Sequence, residues 1–315
     1  MCYNTPMKIR TSLVARGTAL AALVLIAVAC TKAPEPLDPA YAAEVDSWRN
    51  QRLEQLTADN GWLTLTGLYW LEPGENRFGS APDGAVVLPD DSVPEIAGML
   101  VVAADGTVVA FGEEGAGVRI NGDPLMNTVL ATDAQDSPDV ITAGRISFYI
   151  IDREGRLAAR VKDPEAMTRL TFAGIEQFDI DPAFRVEARF EPYAEPRQVA
   201  IPTVLGQDTS MLAMGVLRFT INDEEQVLEP YVGSPDDESL FLIFRDGTSG
   251  TTTYGAGRFL SADAPGEDGT TVLDFNLAYN PPCAFTPYAT CPLPPPQNVL
   301  DIAIEAGEQY HGDAH

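Results

Sequence analysis

Arg245, Asp246, Thr248, Ser249, Tyr254 and Arg258 crowd into one short segment, RDGTSGTTTYGAGRFL. An arginine beside a tyrosine and hydroxyl residues suits a carboxylate, a phosphate or a sugar, because its planar guanidinium offers several N–H donors in a fixed fork. Gly247, Gly250, Gly255 and Gly257 let the backbone approach a ligand or turn tightly. Arg245, Ser249, Tyr254 and Arg258 are therefore candidates for holding a small polar or anionic ligand, set against the plainer reading of a hairpin with an Arg–Asp pair on its shoulder. A second constellation, Asp274, Asn276, Tyr279 and Asn280 in LDFNLAYNPPC, leads into a proline-rich loop. Side chains alternate along a strand, so Asp274 and Asn276 are expected on one face. With Tyr279 they either anchor a pocket or tie the loop down. If the chain is an enzyme, Asp246 and Asp274 are the carboxylates available for acid–base work without histidine.

Other chemistry is excluded by what is missing. The only histidines are His311 and His315, so a Ser-His-Asp or Cys-His catalyst would have to recruit a fraying tail. Of three lysines, Lys8 and Lys32 fall in or beside the leader, leaving Lys162 alone for a Ser-Lys dyad. There is no phosphate-binding G-x-x-x-x-G-K-[ST], no G-x-G-x-x-G, no G-x-S-x-G, no H-E-x-x-H and no EF-hand loop. No cofactor is called for and no metal site is expected. The 315 residues carry 20 Lys plus Arg against 46 Asp plus Glu, a formal charge of −26. Nucleic-acid phosphates need a cationic face, so no nucleic-acid partner is expected.

The elements that must position these residues begin after a leader. Lys8, Arg10 and Arg16 precede the apolar run Ala19–Ala29, too short to span a bilayer but suited to a signal peptide. The run ends Ala27-Val28-Ala29-Cys30, which resembles a lipoprotein signal. That resemblance implies cleavage of residues 1–29, lipidation at Cys30 and a membrane partner through the lipid. It places the protein in the cell envelope facing the periplasm, and Thr31-Lys32 points to the outer membrane. Cys2 would leave with the leader, so Cys283 and Cys291 would remain to form a disulfide in an oxidising compartment, the alternatives being free thiols or a metal or redox pair.

Residues 30–37 read as a lipidated tether. Asp38-Pro39 then starts a helix with Asn60-Gly61 as its stop, whose apolar stripe of Tyr41, Val45, Trp48, Leu53 and Leu56 is expected to pack on the domain that follows rather than to form a binding surface. Short β-like runs with turn punctuation follow to residue 162, the clearest hairpin turning at Asp105-Gly106. Phe78-Gly79-Ser80, Val86-Val87-Leu88, Gly98-Met99-Leu100 and Val118-Arg119-Ile120-Asn121-Gly122 resemble a degenerate forkhead-associated domain. The family implies a β-sandwich. Its phosphothreonine-reading Arg is replaced by Ser80 and its His is absent, so phosphopeptide binding is not implied. Residues 163–315 carry eight further strand-like runs, which argue for an antiparallel barrel or sandwich, with Ser239–Phe244 as a central buried strand. The fold class expected is mainly β: one helix, a degenerate forkhead-associated-like sandwich, then a C-terminal β-barrel or sandwich domain with a Pro/Cys loop. Arg145, Arg153, Arg156, Arg160 and Lys162 stand out in so acidic a chain, as ion-pair partners or as an anion patch.

The motifs WLTLTGLYWLEPGENRFGS, RDGTSGTTTYGAGRFL and LDFNLAYNPPCAFTPYATCPLPPPQN together resemble an uncharacterised bacterial family, domain of unknown function 1684. The resemblance implies that Arg245, Asp246, Tyr254, Arg258, Asp274, Asn276, Tyr279, Cys283, Cys291, Pro294 and Asn298 occupy its pattern positions. It brings no catalytic role. The expectation is an envelope lipoprotein whose C-terminal domain binds a small polar or anionic ligand or an envelope protein. The alternatives are a histidine-independent hydrolase and a structural scaffold.

Overall fold

The structure, a computed structural model, describes residues 37–135 and 137–312. The leader, Cys30, most of the tether and His315 lie outside the described residues. Helix α1 (Pro39–Thr57) starts as its sequence dictates: the Asp38 carboxylate accepts from the Ala40 amide at 2.9 Å, and Pro39 takes the first helical position. The chain then doubles back at Gly61, where a Cβ would lie 2.5 Å from the Leu56 carbonyl oxygen.

Eleven strands build the first β part. They are β1 (Leu65–Trp70), β2 (Gly74–Gly79), β3 (Val86–Val87), β4 (Gly98–Val102), β5 (Val108–Gly112), β6 (Arg119–Ile120), β7 (Asp123–Pro124), β8 (Asn127–Val129), β9 (Ile141–Ala143), β10 (Ile146–Arg153) and β11 (Arg156–Lys162). One sheet runs β1-β11-β10-β9-β6-β7 and the other β3-β2-β4-β5-β8, with only the β2–β3 pairing parallel. The hairpin expected at Asp105-Gly106 joins β4 to β5, with Gly106 at φ 84°. Alternation sends Phe78, Leu100, Phe148 and Ile150 into one shared core, and the rings of Phe78 and Phe148 meet edge-on at 5.2 Å.

After the short helix α2 (Met167–Leu170), one antiparallel sheet forms the second part. Its strands are β12 (Arg185–Pro202), β13 (Asp208–Ile221), β14 (Glu224–Leu228), β15 (Tyr231–Val232), β16 (Ser239–Phe244), β17 (Arg258–Asp263) and β18 (Thr270–Asp274). The order is β17-β16-β15-β13-β12-β18, with β14 added on β13. The end strands β17 and β18 lie against each other, so the sheet is nearly closed into a barrel. Ser239–Phe244 is the buried inner strand expected, with Leu242, Ile243 and Phe244 fully inside.

Two details depart from the sequence reading. Asp274 and Asn276 do not share a strand face, because β18 ends at Asp274, whose side chain caps the 3-10 turn Phe275–Leu277 by accepting from the Asn276 amide. Helix α1 does not lie on the first sandwich alone. Its main polar partners are Asp274, Phe178, Asn280 and Glu308, all in the second part, and Leu53 faces solvent rather than joining the buried stripe. The residues from Leu37 onward accordingly form one compact unit. Along β11, Leu157, Ala159 and Val161 face the sandwich core, yet Ala158 and Arg160 on the opposite face are buried as well. That outer face is covered by the second part: Thr290 bonds to Arg153 and Arg160, and Trp62 packs into the apolar cluster of Tyr231, Ile243, Phe259 and the two cysteines.

Candidate functional site

The RDGTSGTTTYGAGRFL segment is a closed latch. Arg258, at the start of β17, is fully buried and donates through Nη2 to Asp246 at 2.8 Å and to the Ile304 carbonyl at 2.9 Å, while Nη1 donates to the Ala306 carbonyl. The other Asp246 oxygen accepts from the Thr248 amide and hydroxyl and from the Ile304 amide. Gly257 is glycine for a reason: at φ 103° a Cβ would meet Pro294 and the Phe244 carbonyl at 2.5 and 2.6 Å. Ser249 accepts from the Asp246 amide, Tyr254 is buried with its hydroxyl donating to the Cys283 carbonyl, and Arg245 is exposed. None of these residues lines the cavities described below. Two fully buried charges with every available oxygen bonded lock the irregular C-terminal segment onto the barrel.

Asp274 and Asn276 are likewise absorbed in structure. Both Asp274 oxygens accept from the Tyr41 hydroxyl, at 2.9 and 2.8 Å, and Asn276 donates to that hydroxyl and to the Asp181 carbonyl while accepting from the Asp181 amide. Cys283 and Cys291 form a disulfide, with Cα atoms 6.2 Å apart. Two acidic turns spend carboxylates locally, Asp237 on the Gly233 and Ser234 amides and Asp268 on Thr270. Among the described residues no group of three metal-ligating side chains converges.

Of the candidates, Tyr279 opens onto a large cavity. A cleft of about 450 Å³ runs between α1 and the barrel, lined by Trp48, Gln51, Arg52, Gln55, Trp62, Phe241, Phe259, Ser261, Leu277, Tyr279 and Pro282. Trp48, Gln51, Arg52 and Gln55 recur at helical spacing, so one face of α1 forms a whole wall. Phe241 and Phe259 come from neighbouring strands and meet edge-on at 4.9 Å; Phe259 in turn meets Tyr279 at 5.8 Å. The Arg52 guanidinium stacks 4.9 Å from the Tyr279 ring centre, donates from Nε to Glu308 at 3.1 Å and from Nη2 to the Asn280 carbonyl at 2.9 Å. Its Nη1 has no protein partner among the described residues. Glu308 is fully buried, and burial pushes its carboxyl above the ordinary range even though Arg52, the Asn280 amide and Arg258 pull the other way. Burial also raises the Tyr279 phenol.

The helical face at 48, 51, 52 and 55 is a signal legible in the sequence, though the apolar stripe of the same helix overshadows it. Glu229 carries no such signal. Its buried carboxylate accepts from Tyr193, Arg197, Tyr231 at 3.1 Å and Gln297 at 2.9 Å, while Asn298 braces its backbone. Burial alone would raise this carboxyl; the four side-chain donors outweigh it and hold the group below its ordinary value, and the Tyr193 phenol is pushed up to about 12.

Residues 170–309 match the sequence profile of a family described as "Protein of unknown function (DUF1684)". An uncharacterised protein of Haloarcula marismortui, solved by NMR, is 36% identical over 45% of this chain and 78% of its own, with a TM-score of 0.39. A structure from a study of phosphothreonine-dependent FHA domain interactions is 19% identical over 30% of this chain and 92% of its own, with a TM-score of 0.21. No curated protein matches the chain.

Proposed function

Residues 170–309 carry the DUF1684 family profile, and from that premise we propose that the chain is a binding protein for a small anionic ligand with a flat apolar face, seated in the cleft between α1 and the barrel. The observation that carries the reading is the composition of the cleft: aromatic rings from Trp48, Trp62, Phe241, Phe259 and Tyr279 form the walls, and one guanidinium, Arg52, stands among them. Aromatic faces supply apolar contact area with fixed geometry, and the guanidinium supplies directional donors to a carboxylate or phosphate. The leader residues and Ala27-Val28-Ala29-Cys30 support the further proposal that the protein is a lipoprotein of the cell envelope, so that the ligand would be an envelope solute.

Two of the protein's three tryptophans line this cleft, so intrinsic fluorescence reports directly on its occupancy. A panel of aromatic acids, sugar acids and neutral sugars is expected to contain a compound that changes the fluorescence saturably and raises the melting temperature. At a hundredfold excess over Kd the stabilisation is about 2.7 kcal/mol. Ser261→Phe, at an exposed cleft position, is expected to abolish the response while leaving the unliganded melting temperature within a few degrees. A saturable response that survives this block overturns the assignment of the cleft.

A further inference from the structure

Beside the aromatic cleft, and sharing Arg52, Gln55 and Trp62 with it, lies a second chamber of about 340 Å³ whose other walls include Asn60, Tyr149 and Lys162. Its charges do not balance. Of the five cations singled out near the end of the first part, Arg145 pairs with Asp90 and Asp163, Arg153 pairs with Asp133, and Arg156 is exposed and stacks on the Trp70 ring at 4.1 Å. Arg160 and Lys162, on one face of β11, have no carboxylate within ion-pair distance among the described residues. Arg160 is 2% exposed. It donates to the Tyr149 hydroxyl at 3.4 Å and the Thr290 hydroxyl at 3.1 Å, and its buried Nε has no partner. Lys162 donates to the Asn60 carbonyl at 2.6 Å and lies 5.4 Å from the Tyr149 ring centre. Burial, and then the charge on Arg160, hold its ammonium below the ordinary range, with no acid to raise it. In a chain with 46 acidic residues, two adjacent cations left without an acid mark a place where an anion completes the structure.

We infer that the second chamber holds a dianionic phosphate group of the ligand, bound by the Lys162 ammonium and the Tyr149 hydroxyl. Two uncompensated positive charges match a phosphate monoester and leave a monocarboxylate one charge short. Arg160 acts through Tyr149: by donating to the phenolic oxygen it turns that O–H toward the chamber, and its charge stays behind the ring as a fixed field. The ligand's flat part would lie in the aromatic cleft, and for that half the inference rests on the reading given above.

The lysines make the test specific. In the chain from Cys30 onward, with lysine carrying ¹⁵N at Nζ, Lys162 gives one of two side-chain signals, identified by its loss in Lys162→Arg. Inorganic phosphate is expected to move the Lys162 signal saturably at constant ionic strength, with Lys32 unmoved. Phenyl phosphate is expected to do so at a concentration at least tenfold lower, and Tyr149→Phe to weaken phosphate about tenfold, as for one hydrogen bond to a charged group. A Lys162 signal that responds to phosphate no more than to chloride overturns the inference. Saturable fluorescence with an aromatic carboxylate in that same sample would leave the reading of the cleft standing.

Discussion

Asp246 and Arg258 each satisfy a charge that the interior would otherwise leave bare. Arg258→Ala is therefore expected to cost about 3–5 kcal/mol, because it strands a buried carboxylate, and the double variant carrying Asp246→Leu with Arg258→Met is expected to recover much of that loss. Urea midpoints for the three proteins decide it. A mild effect of Arg258→Ala would show that the pair is not what holds the C-terminal segment. The two buried glutamates carry opposite pH signatures. Glu229 has its folded value depressed below 4.5, so the stability it contributes is full above that pH and is lost as pH falls through the folded value. The gap between the native protein and Glu229→Gln, about 1–3 kcal/mol at neutral pH, should close on acidification. Glu308 has its folded value raised, so stability declines as pH rises from 4.5 through that value, and Glu308→Gln is expected to flatten the decline. Urea midpoints measured from pH 3 to pH 8 separate the two signs.

At the scale of elements, α1 and the cysteine loop join what the strands alone would leave apart. The Tyr41 hydroxyl closes α1 onto Asp274 and Asn276, so Tyr41→Phe is expected to cost about 1–2 kcal/mol, read from a chemical denaturation curve. The disulfide closes a loop that includes Thr290, the hydroxyl shared by Arg153 and Arg160. Its removal by Cys283→Ser with Cys291→Ser is expected to cost about 2–3 kcal/mol in the chain-entropy account and to weaken any phosphate response at Lys162. Much of this was legible in sequence. Asp38-Pro39 placed the helix start, alternation placed the sandwich core, Asp105-Gly106 placed its hairpin, and the apolar run at Ser239–Phe244 placed an inner barrel strand. The cleft was not, because its walls at 48–62, 241–261 and 277–282 meet only when α1 crosses to the second part. Nothing local to α1 states which sheet it will cover. Arg258 illustrates the converse: a motif dense in polar side chains reads the same whether those groups face a ligand or one another.

Across the whole molecule, the first sandwich and the barrel share Trp62, Thr290 and α1, and these contacts predict a single unfolding transition. Tryptophan fluorescence reports on Trp48, Trp62 and Trp70, all before residue 71, whereas far-UV circular dichroism reports on strands throughout the chain. Urea curves from the two probes are expected to coincide, and midpoints separated by more than about 0.5 M would mean that the two cores melt independently. The position of α1 also has a mechanical meaning. The helix belongs to no sheet and is held by side-chain clasps at Tyr41, Trp48, Arg49 and Arg52, arranged one after another along its length. A load applied from the N-terminal side meets these clasps in series, so they yield singly, whereas strands sheared within a sheet share the load. Tension would peel away the wall that carries Trp48 and Arg52 while both β cores stay folded, and an optical-trap pull from that end should release the 19 residues of α1 first. Ligand affinity would then fall at forces well below those that unravel a sheet.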